Sequence, residues 1–210
     1  MNFKLNIPNI LTISRALMVP LICYFLYFDG LFNIIIAILL LTIASLTDTF
    51  DGLIARKLNQ VSEFGAFFDP LADKILVWGV YIGFLLKPFF FNMLPFVVII
   101  ILRDLFVTFL RFHSKNKNIE FKTSFLAKTK TAVQMVFAFF LMFFILITYI
   151  VKSSLKIDSL SYKDIWFTFL SDYGNFIVNI PFVLMGMVSI FTLWTGIDYL
   201  IQYLKWGKKS

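Results

Sequence analysis

One cysteine and one histidine are all that the 210 residues contain. Cys23 can form no internal disulfide, and it lies inside the first apolar run, where a thiol behaves as a small hydrophobe. His113 reads as a surface histidine rather than a catalyst. Charge is scarce as well. Only 15% of the residues are Asp, Glu, Lys or Arg, against about 25% in ordinary globular domains. Apolar residues make up 60% and the mean hydropathy is +0.87, which excludes a soluble globular domain. The first apolar run carries Arg15 and has no small-residue cleavage site, so no cleavable signal peptide is expected. No internal repeat and no linker divide the chain, so residues 1–210 are expected to form a single domain.

The apolar residues come in runs near the 20 residues that cross a bilayer. Six spans are expected, at about 8–28, 31–57, 64–86, 93–112, 124–151 and 177–206. The expected fold is therefore an all-α, polytopic integral membrane protein. The short amphipathic stretch "MNFKLNIP" is expected to form an interfacial helix before the first span, and a small surface helix is expected around "YKDIWFTFL" in the segment 151–176. The net charge of +7 is informative by location. Arg56 and Lys57 follow the second span, and Arg111, Lys115, Lys117, Lys122, Lys128 and Lys130 lie around the gap between the fourth and fifth. Lys4, Lys205, Lys208 and Lys209 mark the two ends. Such flanking charge orients spans and touches anionic lipid, and it is not read as a nucleic-acid surface. It predicts cytoplasmic termini in the inner membrane, with the 46–76 stretch on the same side. The 28 phenylalanines read as lipid-facing bulk.

Four aspartates stand out against this background: Asp48, Asp51, Asp69 and Asp73. A lone aspartate at the bilayer centre costs about 2.5–3.5 kcal/mol even on the gentlest scale. In an antiparallel helix pair turning at "LNQVSEFG", counting from the turn sets Asp51 level with Asp69 and Asp48 level with Asp73. Spacings of three and four residues put each pair on one helix face. Four carboxylates in one volume repel each other unless a cation is bound, and oxygen ligands without histidine or cysteine favour magnesium, manganese or calcium over zinc. Gly52, Ala55, Gly65, Ala66 and Ala72 thin the wall around them, and Arg56 lies where it can meet an anionic ligand. Helix-end acids facing water, or paired with Arg56, Lys57 and Lys74, are the plainer alternative.

The spacing Asp48-x2-Asp51-Gly52-x2-Ala55-Arg56-x8-Gly65-x3-Asp69-x3-Asp73 resembles, position for position, the signature of the CDP-alcohol phosphatidyltransferases. The resemblance implies an enzyme that displaces CMP from a CDP-linked lipid with an alcohol. It implies that Asp48, Asp51 and Asp69 hold one or two magnesium or manganese ions, and that Asp73 is the base and shares in the metal site. Gly52, Ala55 and Arg56, with Asp51 and Gly65, would line the CDP-lipid pocket, and Asn9, Thr12 and Arg15 would add polar contacts to the nucleotide. A helix-start role explains Asn9 and Thr12 almost as well. A homodimer is also implied.

"IPNILTISR", "FGAFFDPLADKIL" and "LAKTKTAVQM" are most similar to the branch whose acceptor is glycerol 3-phosphate, giving phosphatidylglycerophosphate from CDP-diacylglycerol. Arg103, Arg111, Lys128 and Lys130 are the candidate acceptor-phosphate ligands, with Asp104 beside Arg103 as a buried partner. Ordinary flanking charge accounts for Lys128 or Lys130 alone equally well. Two positions depart from the branch: Ala127 where glycine is usual, and Asp104 where glutamate is usual. Serine, an inositol phosphate or phosphatidylglycerol are the other acceptors. A divalent-cation transporter is a further alternative, against which stands the confinement of all four aspartates to one side.

Overall fold

The computed structural model describes residues 7–57, 63–115, 125–156, 161–170 and 173–207, with side chains over 10–47, 71–72, 74–114, 129–156, 161–170 and 173–205. Among the described residues every regular element is helical. α1 spans Ile7–Tyr27, α2 Leu31–Lys57 and α3 Glu63–Leu85. A 3₁₀ turn, Pro88–Met93, leads into α4, Leu94–Lys115, followed by α5, Phe125–Leu155. The short α6 is Tyr162–Leu170, and α7, Gly174–Gly207, is the longest. Helices α1–α5 and α7 lie within a few residues of the bounds expected for the six spans, and α6 is the helix expected at "YKDIWFTFL". The expected interfacial helix falls mostly on residues 1–6, outside the described residues.

Local chemistry sets the breaks. Gly30, at φ +130, takes a backbone conformation that side chains rarely tolerate and separates α1 from α2. Pro88 cannot continue α3 and instead starts the 3₁₀ turn. Four windows are long and apolar enough to cross a bilayer: 10–27, 88–114, 129–155 and 174–205. The apolar stretches described in α2 and α3, 31–47 and 74–85, are shorter. The chain is a multi-pass helical membrane protein.

α1 and α3 pack side by side in the same direction, since Val19 meets Gly79 and Leu26 meets Gly83. A Cβ on Gly79 would stand 2.1 Å from Val19 Cγ1, so any side chain there would force Val19 or the helices to shift. Cys23 Sγ donates to the Gly79 carbonyl at 3.2 Å. The core between the helices is formed by Leu41, Leu76, Val80, Phe84, Ile100 and Met142, among others. α3 runs against α4, with Lys74 at Thr108 and Trp78 at Asp104, and α4 runs along α7, with Arg103 at Thr195 and Arg111 at Tyr199. The start of α3 and the ends of α4 and α7 therefore share one end of the bundle.

The opposite end is tied by polar and aromatic contacts. Lys87, buried, donates to Asp29 at 2.7 Å, and the Tyr149 hydroxyl donates to the same carboxylate oxygen. Tyr162 of α6 stacks against Phe89 at 4.6 Å and Phe144 at 6.4 Å, and Trp166 Nε1 donates to Thr148 Oγ1 at 3.1 Å. Partial burial works to raise the Asp29 carboxyl, but hydrogen bonds from Lys87 and Tyr149 and the charges of Lys87 and Lys152 outweigh it and hold the carboxyl below its ordinary range. A depressed carboxylate stabilises the fold above its unfolded value of about 3.9, and that stabilisation is lost as pH falls through the lower folded value. Asp29→Asn should therefore lower the thermal unfolding midpoint in detergent at pH 7 by a modest amount, because the side chain is 58% exposed. The gap should shrink below about pH 4. A gap unchanged into strong acid would show that the ion pair is not its source.

Candidate active site

The four aspartates all fall on helix: Asp48 and Asp51 in α2, Asp69 and Asp73 in α3, on either side of 58–62. Spacings of three and four residues on continuous helix keep each pair on one face. Their side chains, and those of Asn9, Ala55, Arg56 and Lys128, lie outside the described residues, as does the surface around Gly52 and Gly65. Among the described residues no group of three or more His, Cys, Asp or Glu could hold a metal. The donor chemistry of the aspartates, four carboxylates on consecutive helices, fits a hard divalent cation.

The residues on either side of Asp73 are packed into the bundle. Ala72 is buried, and Lys74 Nζ donates to Thr108 Oγ1 of α4 at 2.5 Å. One turn further, Trp78 Nε1 donates to Asp104 Oδ2 at 3.4 Å. This end of α3 therefore lies against the C-terminal half of α4. A cavity of about 160 Å³ opens there, lined by Lys74, Val77, Asp104, Arg111, Lys130, Thr131 and Gln134. Larger cavities between α4 and α7 and between α5 and α7 have almost wholly apolar walls, whereas this smaller one offers mixed polar chemistry.

Asp104, buried, is the electrostatic centre of that cavity. Its Oδ1 accepts from Arg103 Nη1 at 3.0 Å and from Lys130 Nζ. One carboxylate thus faces two cations, and Lys74 and Arg111 add two more along the wall. Among the described residues this excess of positive charge suits an anion with more than one charge. Lys130 and Gln134 stand four apart on α5 and share a face. The Gln134 carbonyl accepts from Tyr81 at 2.9 Å, and its Nε2 donates to Thr192 of α7 at 3.2 Å.

The expected acceptor ligands separate accordingly. Arg111 and Lys130 come together on the cavity wall. Arg103 does not line it: beyond Asp104 its Nη2 donates to Thr195 Oγ1 at 2.6 Å, with its stem against Gly196. Thr12 and Arg15 are buried in α1. His113 packs its ring on Phe109 at 6.2 Å. Sequence reasoning did not single out Thr131, Gln134 or Tyr199, and it weighed Lys74 only as a partner for the aspartates. The available signal was the position of Lys74 directly after Asp73, and the four-residue spacing from Lys130 to Gln134.

The paired acids on α2 and α3 and the polytopic helical fold define a class, and comparison with known sequences identifies it. The profile of the CDP-alcohol phosphatidyltransferase family matches residues 5–194, and the chain belongs to that family. Within it the chain is similar to the CDP-diacylglycerol–glycerol-3-phosphate 3-phosphatidyltransferase of Rickettsia felis, 40% identical over 135 residues, covering 64% of this chain and 74% of that protein. The Rickettsia bellii protein of the same name is 42% identical over 130 residues, 62% of this chain and 71% of its own length. The one from Wigglesworthia glossinidia brevipalpis is 40% identical over 148 residues, 66% and 78% respectively.

Proposed function

We propose that the chain transfers the phosphatidyl group of CDP-diacylglycerol to glycerol 3-phosphate, giving phosphatidylglycerophosphate and CMP. The names of its relatives support the two substrates. The observation that carries the acceptor is the cavity beside the motif helices, where, among the described residues, Lys74, Arg111 and Lys130 outnumber the carboxylate of Asp104. A neutral alcohol has no use for that charge, whereas a phosphate monoester does.

The residues divide the work by position. Arg111, Lys130 and Lys74, with Lys128 from the start of α5, take the acceptor phosphate and present its free hydroxyl toward α3. Arg103 supports the site through Asp104. Asp73 accepts the hydroxyl proton as the oxygen forms its bond to the phosphatidyl phosphorus and the bond to the CMP oxygen breaks. Gly52, Ala55, Arg56 and Gly65, with Asn9 and Thr12, hold the CDP moiety. Asp48, Asp51, Asp69 and Asp73 would hold magnesium or manganese, which neutralises charge on the pyrophosphate and on departing CMP. Positioning of this kind supplies much of the rate in transfers between phosphate esters, where little covalent work falls to the protein.

Flanking lysine and arginine support six spans with both termini and the site at the cytoplasmic face of the inner membrane, where both water-soluble acceptor and membrane-held lipid can reach it. The family resemblance supports a homodimer. Purified protein with CDP-diacylglycerol and magnesium or manganese should release CMP on addition of glycerol 3-phosphate, and a chelator should stop the release. Release with serine or an inositol phosphate but not with glycerol 3-phosphate would overturn the acceptor. No release with any alcohol would overturn the reaction.

A further inference from the structure

α7 is apolar enough to span a bilayer, yet one of its faces is lined with hydroxyls. Thr192, Thr195 and Tyr199 are all buried, at most 1% exposed, and their spacing of three and four residues stacks them on one side of the helix. Each meets a polar group from another helix: Gln134 at Thr192, Arg103 at Thr195 and Arg111 at Tyr199. The two threonines donate their own protons along α7, Thr192 to the Val188 carbonyl and Thr195 to the Thr192 carbonyl, both at 2.7 Å. Their oxygens are thereby left as acceptors, suited to the amide and the guanidinium that reach them.

Tyr199 is the member of this stripe that touches a cationic residue of the cavity wall, Arg111. Arg111 lies over its ring at 4.8 Å and donates Nη2 to its hydroxyl. The ring and the hydroxyl therefore fix the guanidinium in both tilt and reach. Arg111 is otherwise an exposed side chain on the cavity wall, with many conformers open to it. Thr195 and Tyr199 also lie past residue 194, where the family match ends.

We propose that Tyr199 is a positioning residue for the acceptor: it holds Arg111 ready to receive the phosphate, so that the tail of the last helix tunes acceptor affinity. The proposal rests on the reading of the cavity as the acceptor site. Restraining a long side chain beforehand spares the binding step that ordering cost. It does not alter the reacting atoms.

The test is steady-state CMP release in mixed micelles, each substrate varied in turn. Tyr199→Phe keeps the ring and removes the hydroxyl. It should raise KM for glycerol 3-phosphate about three- to tenfold, leaving kcat and KM for CDP-diacylglycerol within about twofold. Arg111→Ala should raise the same KM further, and adding Tyr199→Phe to it should change nothing more. An equal fall in kcat, a shift confined to the CDP-lipid, or full additivity of the two substitutions would overturn the proposal. Thermal unfolding with inorganic phosphate gives an arm independent of turnover. Phosphate should protect the wild type, protect Tyr199→Phe less, and not protect Arg111→Ala. Should wild type release no CMP with glycerol 3-phosphate, the acceptor assignment fails by itself, and equal phosphate protection of wild type and Tyr199→Phe would then sink the positioning role.

Discussion

Asp73→Asn is expected to cut the rate of CMP release by about 10³-fold, within the 10²–10⁴-fold range of a lost general base. The amide keeps the size of the carboxylate and removes its capacity to take a proton. If Asp73 is chiefly the base, the variant should still bind CDP-diacylglycerol, and raising magnesium or manganese should not restore the rate. Asp48→Asn and Asp51→Asn should behave differently. Each removes a charged oxygen ligand, so each should show a higher metal requirement and partial recovery at high metal. An Asp73→Asn protein that keeps a tenth of wild-type activity, or recovers it with metal, would assign Asp73 to the ligand set alone. Helical placement on α3, four residues after Asp69 and directly before Lys74, makes the comparison clean, because the substitution disturbs no helix end.

Asp104→Ala is expected to be the most destabilising single change in the described part of the bundle. Asp104 is the shared partner of Arg103 and Lys130, and all three are buried. Removing one partner of a buried ion pair typically costs about 3–5 kcal/mol, because the remaining charge stays desolvated. Here two cations would be left facing each other. The thermal unfolding midpoint in detergent should fall sharply, and Lys130→Met in the same protein should recover part of the loss by removing one of the stranded charges. Asp104→Glu should stay close to wild type in stability, since it restores the carboxylate. A midpoint unmoved by Asp104→Ala would mean that water reaches the cluster freely.

Helix existence and ends were legible because apolar length and breakers agree. Asp29-Gly30, Lys87-Pro88 and the polar 116–124 stretch each interrupt an apolar run, and the helices stop at or close to them. The short helix α6 was legible at "YKDIWFTFL", although its stacking with Phe89 and Phe144 was not. The placement of the four aspartates on two consecutive helices was legible by counting, where local periodicity does the work. The acceptor side resisted the same treatment. Arg103 finds Thr195, 92 residues away, and Arg111 finds Tyr199, 88 residues away. Nothing in the spacing within α4 separates the arginine that supports Asp104 from the one that lines the cavity. The hydroxyls of α7 were hidden for a related reason: three polar residues spread over two turns scarcely lower the hydropathy of a long apolar window.

The close contact at Gly79 has a consequence for the chemistry at the other end of α3. Val19 comes so close there that even a methyl group would force a shift, so the spacing of α1 and α3 depends on the glycine. Asp73 and Asp69 stand about 9 and 15 Å from Gly79 along the helix, at a rise of about 1.5 Å per residue. The first helix is thereby a backing for the third: a substitution at Gly79 that pushed the two apart would also displace the stretch of α3 that carries Asp69 and Asp73.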